Sequence, residues 1–153
     1  ALDLLDEKLT LAHQFGATHS VNSGRPNCVE QVLALTDGRG VDYVFVTVGV
    51  KAAIEQSLSL LAKSGTAVIV GMPASGVLAE FDPAALAANG QSLIGSKMGS
   101  ASVKRDIPKL AALYQSGDLK LDELISKRYV LDEINEAIAS VKRGEALRNV
   151  VIF

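Results

Sequence analysis

The sequence has one cysteine, two histidines and no excess of positive charge. With Cys28 alone, no internal disulfide can form and no cysteine-based metal cluster can be built. Cys28 itself falls in a helix-like context and reads as a small apolar residue. His13 and His19 stand in helix and strand contexts with no second ligand at metal-binding spacing, so no metal site and no catalytic residue is expected within the chain. Lysine and arginine number 15 against 17 acids, for a net charge of −2 and no basic block, which excludes nucleic-acid binding as the main task. No apolar run approaches the roughly 20 residues needed to span a bilayer. The N-terminus has no basic segment followed by a cleavable apolar one, and Ala1 is not a convincing natural start. Single-cysteine usage fits a reducing cytoplasm.

The remaining composition is that of a globular protein. The 153 residues are 48% hydrophobic and 21% charged, enough to bury a core. The anchor is Thr66–Pro73. Ala67 to Val70 are uniformly apolar, too continuous for a half-exposed strand, and predict a central strand buried on both faces. Gly71 and Pro73 stop it, and the missing side chain of Gly71 lets a ligand approach the strand end.

Strand and helix alternate along the rest. A strand end at Ala1–Asp3 leads to a helix from Glu7 to about Phe15, capped near Asp6 and ended by Gly16. A short strand follows at Thr18–Val21, a loop at Asn22–Asn27, a helix at Cys28–Thr36 and a strand at Val41–Val48. A helix at Lys51–Leu61 precedes the anchor strand. Asp82-Pro83 starts another helix, Asn89-Gly90 ends it, and Ser92–Ser96 is a strand. The tail reads as helices at Ile107–Gln115, with Asp106 as N-cap, and Glu133–Arg143, then a strand at Leu147–Phe153. This alternation predicts an α/β fold with a mainly parallel sheet. Gly90–Lys97 is no phosphate-binding P-loop, because Ser96 separates the second glycine from the lysine.

An ordered set of short motifs carries a resemblance. Asp3-Leu4-Leu5-Asp6-Glu7-Lys8-Leu9 and Phe15-Gly16-Ala17-Thr18 open it, and Val41-Asp42-Tyr43, Val48-Gly49 and Val68-Ile69-Val70-Gly71-Met72-Pro73 continue it. Gly95-Ser96, Ile134-Asn135-Glu136-Ala137 and Gly144-Glu145 with Leu147-Arg148 complete it. Together they resemble the zinc-type alcohol dehydrogenases of the medium-chain dehydrogenase/reductase class, over essentially the whole chain. The resemblance implies a partial Rossmann-type doubly wound parallel sheet with a C-terminal helical segment and terminal strand. Residues 1–100 would be an incomplete NAD-binding domain, and residues 101–153 the helices and strand that in the family pack back toward the catalytic domain. The first strand, glycine-rich loop and helix have no counterpart here, nor do the family's zinc ligands. In the strand order 3-2-1-4-5-6 the absence of strand 1 separates the third strand from the fourth. The chain is therefore expected to be part of a longer polypeptide.

The resemblance also implies site residues. From spacing alone Asp3 is a solvated acid at a strand end; the resemblance makes it the acceptor of the adenosine ribose hydroxyls, favouring NAD over NADP. Lys8 is either a surface helix lysine or a reach to the same ribose. Val48, Gly49, Val70, Gly71 and Met72 match strand-end backbone along the cofactor. Ser96, Lys97 and Met98 match backbone that binds the nicotinamide carboxamide. Arg148 matches the arginine on the pyrophosphate. Thr47 stands where the family often has an acid.

The implied whole enzyme moves hydride between an alcohol or aldehyde and NAD, with zinc and substrate held by a catalytic domain outside this sequence. The 153 residues alone are expected to be inactive. The rival is a non-catalytic nucleotide-binding or protein-interaction module derived from the same fold. A homodimer through the edge strand Ser92–Ser96 is expected, with no nucleic-acid or membrane partner.

Overall fold

The computed structural model describes residues 1–153. They fall into two compact units, Ala1–Ala101 and Ser102–Phe153. Every strand pairing in either unit is parallel.

In the first unit, β1 (Leu2–Asp3) pairs with β2 (Val21–Asn22), and β3 (Val41–Val46), β4 (Leu61–Ile69) and β5 (Ser92–Gly95) form a second sheet in that order. The expected separation of the third strand from the fourth is present: β2 and β3 share no ladder. What joins the sheets is side-chain packing. Val21 of β2, Cys28 and Val32 of α2 (Cys28–Ala34), and Leu60 form a buried cluster against which Val29, Val41 and Val44 pack. Burial of about 1.5–3 kcal/mol for each large apolar side chain does what backbone pairing does elsewhere in the unit.

The anchor strand is covered on both faces at its centre, while Ile69 is half-buried at its end and Val70, half-buried too, lies just past it. Ala67 is 0% exposed and Val68 7%. Neighbours in a strand point to opposite faces, so burial of both means that the strand is covered on both sides. Its start is earlier than expected. Leu61, read as the end of a helix, opens β4, and Lys63-Ser64-Gly65, ahead of the expected start at Thr66, lies inside it. The helix before it, α3, stops at Lys51–Ser59.

The other helices of this unit end where local chemistry ends them. In α1 (Asp6–Ala12) the first turn carries Asp6 and Glu7, which favour the positive helix start. The N-cap is Leu5, with no side-chain cap, so Asp6 is not the cap residue. A 3-10 turn, His13–Phe15, closes on Gly16 at φ 95°, a conformation that costs glycine nothing. In α4 (Pro83–Ala88), Asp82 accepts hydrogen bonds from the backbone N–H of Ala84 and Ala85, and Pro83 fills the first helical position. The strand expected over Thr18–Val21 is only β2, two residues long and shifted towards Asn22.

The second unit corrects the expectation of a helical tail. A strand, β6 (Ile125–Val130), pairs in parallel with β7 (Arg148–Ile152) across α6 (Ile134–Lys142), making a βαβ unit. Only Tyr129 of β6 is buried. Its hydroxyl donates to Ser140 Oγ at 3.4 Å, and Asn149 Nδ2 donates to Ser140 Oγ at 2.6 Å and to the Ala137 carbonyl at 3.0 Å. The helix α5 (Val103–Gln115) begins four residues before the expected start, because Asp106 is not its N-cap. Its carboxylate instead accepts from the backbone N–H of Ser102 at 2.7 Å, satisfying the helix from within the first turns. No helix of the chain is long and apolar enough to cross a membrane.

Candidate functional site

Parallel strands end together, and in open α/β sheets ligands bind beyond those ends. Register brings Val46, Ile69 and Gly95 side by side as the last pairs of β3, β4 and β5. The backbone N–H groups of Val70 and Gly71 both donate to the Val46 carbonyl, at 2.9 and 2.8 Å. Ser96 N–H donates to the Ile69 carbonyl at 2.9 Å. One hydrogen-bonded row thus positions Val70, Gly71 and Ser96.

Gly49 and Gly71 explain each other. A Cβ on Gly71 would run into the Val48 backbone, and one on Gly49 would run into Met72. The two segments cross so closely that only glycine fits at both places. This corrects the sequence-based reason for Gly71: its missing side chain admits another stretch of the chain, not open space. Val48 and Met72 flank the crossing and are exposed.

Lys97 and Met98 follow in a tight turn. Met98 has φ 50°, Gly99 φ 70° and Ser100 φ 51°, three left-handed residues in succession. For Met98 and Ser100 this is a strained conformation of the kind that concentrates at functional sites. Ser96 Oγ and Ser100 Oγ lie 3.4 Å apart across the turn.

Asp3 is the last residue of β1, opposite Asn22 in register. Its Oδ1 accepts from the Leu5 backbone N–H at 3.0 Å. Lys8 lies half-buried in the first turn of α1. The structure therefore brings Val48, Gly49, Val70, Gly71 and Met72 together, ties Ser96 to them, and keeps Asp3 on the smaller sheet and Lys8 on the helix that follows it. Arg148 opens β7 in the other unit, exposed.

The chain's own residues do not fit a zinc ion. No group of three or more His, Cys, Asp or Glu side chains is arranged to hold a metal. Cys28 is 1% exposed, and burial, aided by the charge of Glu30, pushes its thiol pKa up, away from the thiolate that metals require. His13 is engaged at both ring nitrogens, with the Ala17 carbonyl at 2.6 Å and Ser20 Oγ at 3.1 Å. The residues do fit part of a dinucleotide. Asp3 offers carboxylate acceptors at a strand end, as a ribose needs, and the ends of β3, β4 and β5 present aligned backbone.

Comparison with known proteins decides the family. A family model described as zinc-binding dehydrogenase matches residues 1–116. The chain belongs to the zinc-binding dehydrogenase family. It is 36% identical over 155 residues to a geraniol dehydrogenase of Carpoglyphus lactis, covering 99% of this chain and 40% of that protein. It is 32% identical to an NDMA-dependent alcohol dehydrogenase of Amycolatopsis methanolica, covering 99% of this chain and 42% of that one. Its fold matches the benzyl alcohol dehydrogenase of Acinetobacter calcoaceticus with a TM-score of 0.93 and 34% identity, covering 99% of this chain and 41% of that structure. This member of the family thus spans about two fifths of the length of the curated relatives it matches. The oxidoreductase character of the family and the Rossmann-like α/β fold agree with the resemblance in the sequence.

One residue escaped the sequence reading. Asn22, taken as the start of a loop, sits beside Asp3, and its side chain bonds three separate groups. The signal was present: Asn-Ser-Gly is the pattern of an Asx turn, and Gly24 N–H does bond Asn22 Oδ1 at 3.0 Å.

Proposed function

We propose that this chain forms the NAD(H)-binding part of a zinc-dependent alcohol dehydrogenase-like oxidoreductase. The observation that carries the reading is the set of aligned parallel strand ends in a chain of the zinc-binding dehydrogenase family, with the Asp3 carboxylate at one of them. Asp3 accepts the adenosine ribose hydroxyls and repels a 2′-phosphate, and Lys8 reaches the same ribose. The backbone at Val48, Gly49, Val70, Gly71 and Met72 lines the cofactor. Backbone at Ser96, Lys97 and Met98 binds the carboxamide and fixes which nicotinamide face is presented. Arg148 contacts the pyrophosphate. Nicotinamide, when bound, supplies hydride acceptor chemistry; the chain binds and orients it.

Alcohol or aldehyde chemistry belongs to the whole enzyme, since the residues here do not form a zinc site. Residues 1–100 act as the nucleotide domain and residues 101–153 pack toward the catalytic part. Support for a cytoplasmic setting comes from the single unpaired cysteine. The test is equilibrium binding of NAD and NADP to the chain, before and after Asp3→Gly. Stronger binding of NAD, lost on substitution, supports the reading. Equal binding of both nucleotides contradicts it.

A further inference from the structure

We propose that Asn22 is the positioning residue for the Asp3 carboxylate, and so sets how strongly this chain recognises an adenosine ribose. The inference rests on the proposed role of Asp3 and extends it to a residue that does not touch the nucleotide.

The problem it solves is how a carboxylate at the tip of a two-residue strand is held still. Apolar packing does not do it, because Leu4 is 67% exposed and Leu5 46%. Polar contacts remain, and they converge on Asn22. Its Nδ2 donates to the Leu4 carbonyl at 3.0 Å and to Asp6 Oδ1 at 2.8 Å, while its Oδ1 accepts from Gly24 N–H. The Ser23 backbone N–H donates to the Asp3 carbonyl at 3.0 Å.

The geometry of one peptide unit links these contacts to the ribose site. The Leu4 carbonyl and the Leu5 N–H belong to the same planar peptide. On one side Asn22 donates to that carbonyl; on the other the N–H donates to Asp3 Oδ1 at 3.0 Å. Rotation of the plane would break both bonds together, so Asn22 fixes the direction from which the Asp3 carboxylate is held. Polarisation along such a chain strengthens each member. Asp6 adds a tie from α1 to Asn22, and Arg25, 3.5 Å from Asp6, balances its charge.

The test compares adenosine 5′-monophosphate with its 2′-deoxy analogue on the full 153-residue chain, by isotope-edited NMR titration. The unaltered chain should bind the ribonucleotide roughly tenfold or more tightly than the deoxynucleotide, the value of a charge-assisted hydrogen bond. Asn22→Ala and Asn22→Asp should bring that ratio towards one, and Leu5 amide exchange should accelerate. Asn22→Asp keeps the shape and the acceptor for Gly24 but loses both donated bonds, so it serves where the alanine variant fails to fold. A purely structural role would weaken both nucleotides equally and leave the ratio intact. If the ratio collapses in Asp3→Gly yet survives in both Asn22 variants, the positioning role is wrong while the ribose role of Asp3 stands. If the unaltered chain shows no preference, or binds neither nucleotide, the ribose role fails and the assignment of Asn22 falls with it. Unprotected exchange at Leu5 in the unaltered chain overturns the positioning role on its own, whatever the variants do.

Discussion

Gly49 and Gly71 lie where the segments after β3 and β4 cross, and their neighbours leave no room for a Cβ. The contacts in the way are backbone atoms, which do not swing aside as a long side chain does. Gly71→Ala should therefore cost about 1–3 kcal/mol of stability, the usual penalty of overpacking, read from chemical denaturation. Gly76→Ala is the control: nothing lies within 4 Å of its Cβ position, so its penalty comes only from the positive φ. Asp3, whose side chain makes a local bond to the Leu5 N–H, is expected to matter little to stability and much to nucleotide binding. Asp3→Gly should weaken NAD binding by roughly 1–3 kcal/mol, the scale of a lost charge-assisted hydrogen bond, in isothermal titration. Cys28 offers a probe of the core between the sheets. Buried and with its thiol pKa raised, first by burial and then by Glu30, it should react with a thiol reagent only after unfolding; rapid labelling of the native chain would contradict that core. At this scale the strand-end glycines were legible in the sequence but the reason for them was not. A sequence shows that a side chain is missing, not which stretch of chain fills the space.

Elements were legible wherever their ends carried their own chemistry. Asp82-Pro83 announces α4 because an acceptor side chain and a residue without an N–H both suit a helix start. Elsewhere the signal misled. Asp106 has the right chemistry for an N-cap, but α5 starts before it, and the same carboxylate serves the Ser102 N–H from inside the helix. The strand β6 went unread because Ser126, Lys127 and Arg128 fill its centre with polar groups. Only Tyr129 is buried, with Lys127 Nζ 4.5 Å from its ring centroid. In β5, one side pairs with β4 and the other carries no ladder, while Leu93 and Ile94 are exposed. We propose that a second copy pairs there, giving a two-fold interface. Ile94→Lys should shift the protein toward monomer in sedimentation velocity; an unaltered chain that is monomeric at high concentration contradicts the interface.

At the scale of the whole molecule the sheets are divided between β2 and β3, joined there by the Val21–Cys28–Val32–Leu60 cluster and not by backbone pairing. The order of strands in the resembled fold made that division legible in advance. The two-residue lengths of β1 and β2 were not legible, because strand length depends on what pairs alongside. With no side-chain group that fits zinc, the 153 residues should not oxidise alcohols; sustained NADH formation from a panel of primary alcohols with added zinc would contradict this. The central claim is that the strand ends of the first unit hold a nicotinamide dinucleotide. The most direct measurement is amide chemical-shift mapping of the 15N-labelled chain during titration with NAD. Perturbations concentrated at Asp3, Gly49, Gly71 and Ser96–Met98, and stronger with NAD than with NADP, are the expected result. Saturating NAD that leaves those amides unmoved, or that shifts amides only elsewhere in the chain, contradicts it.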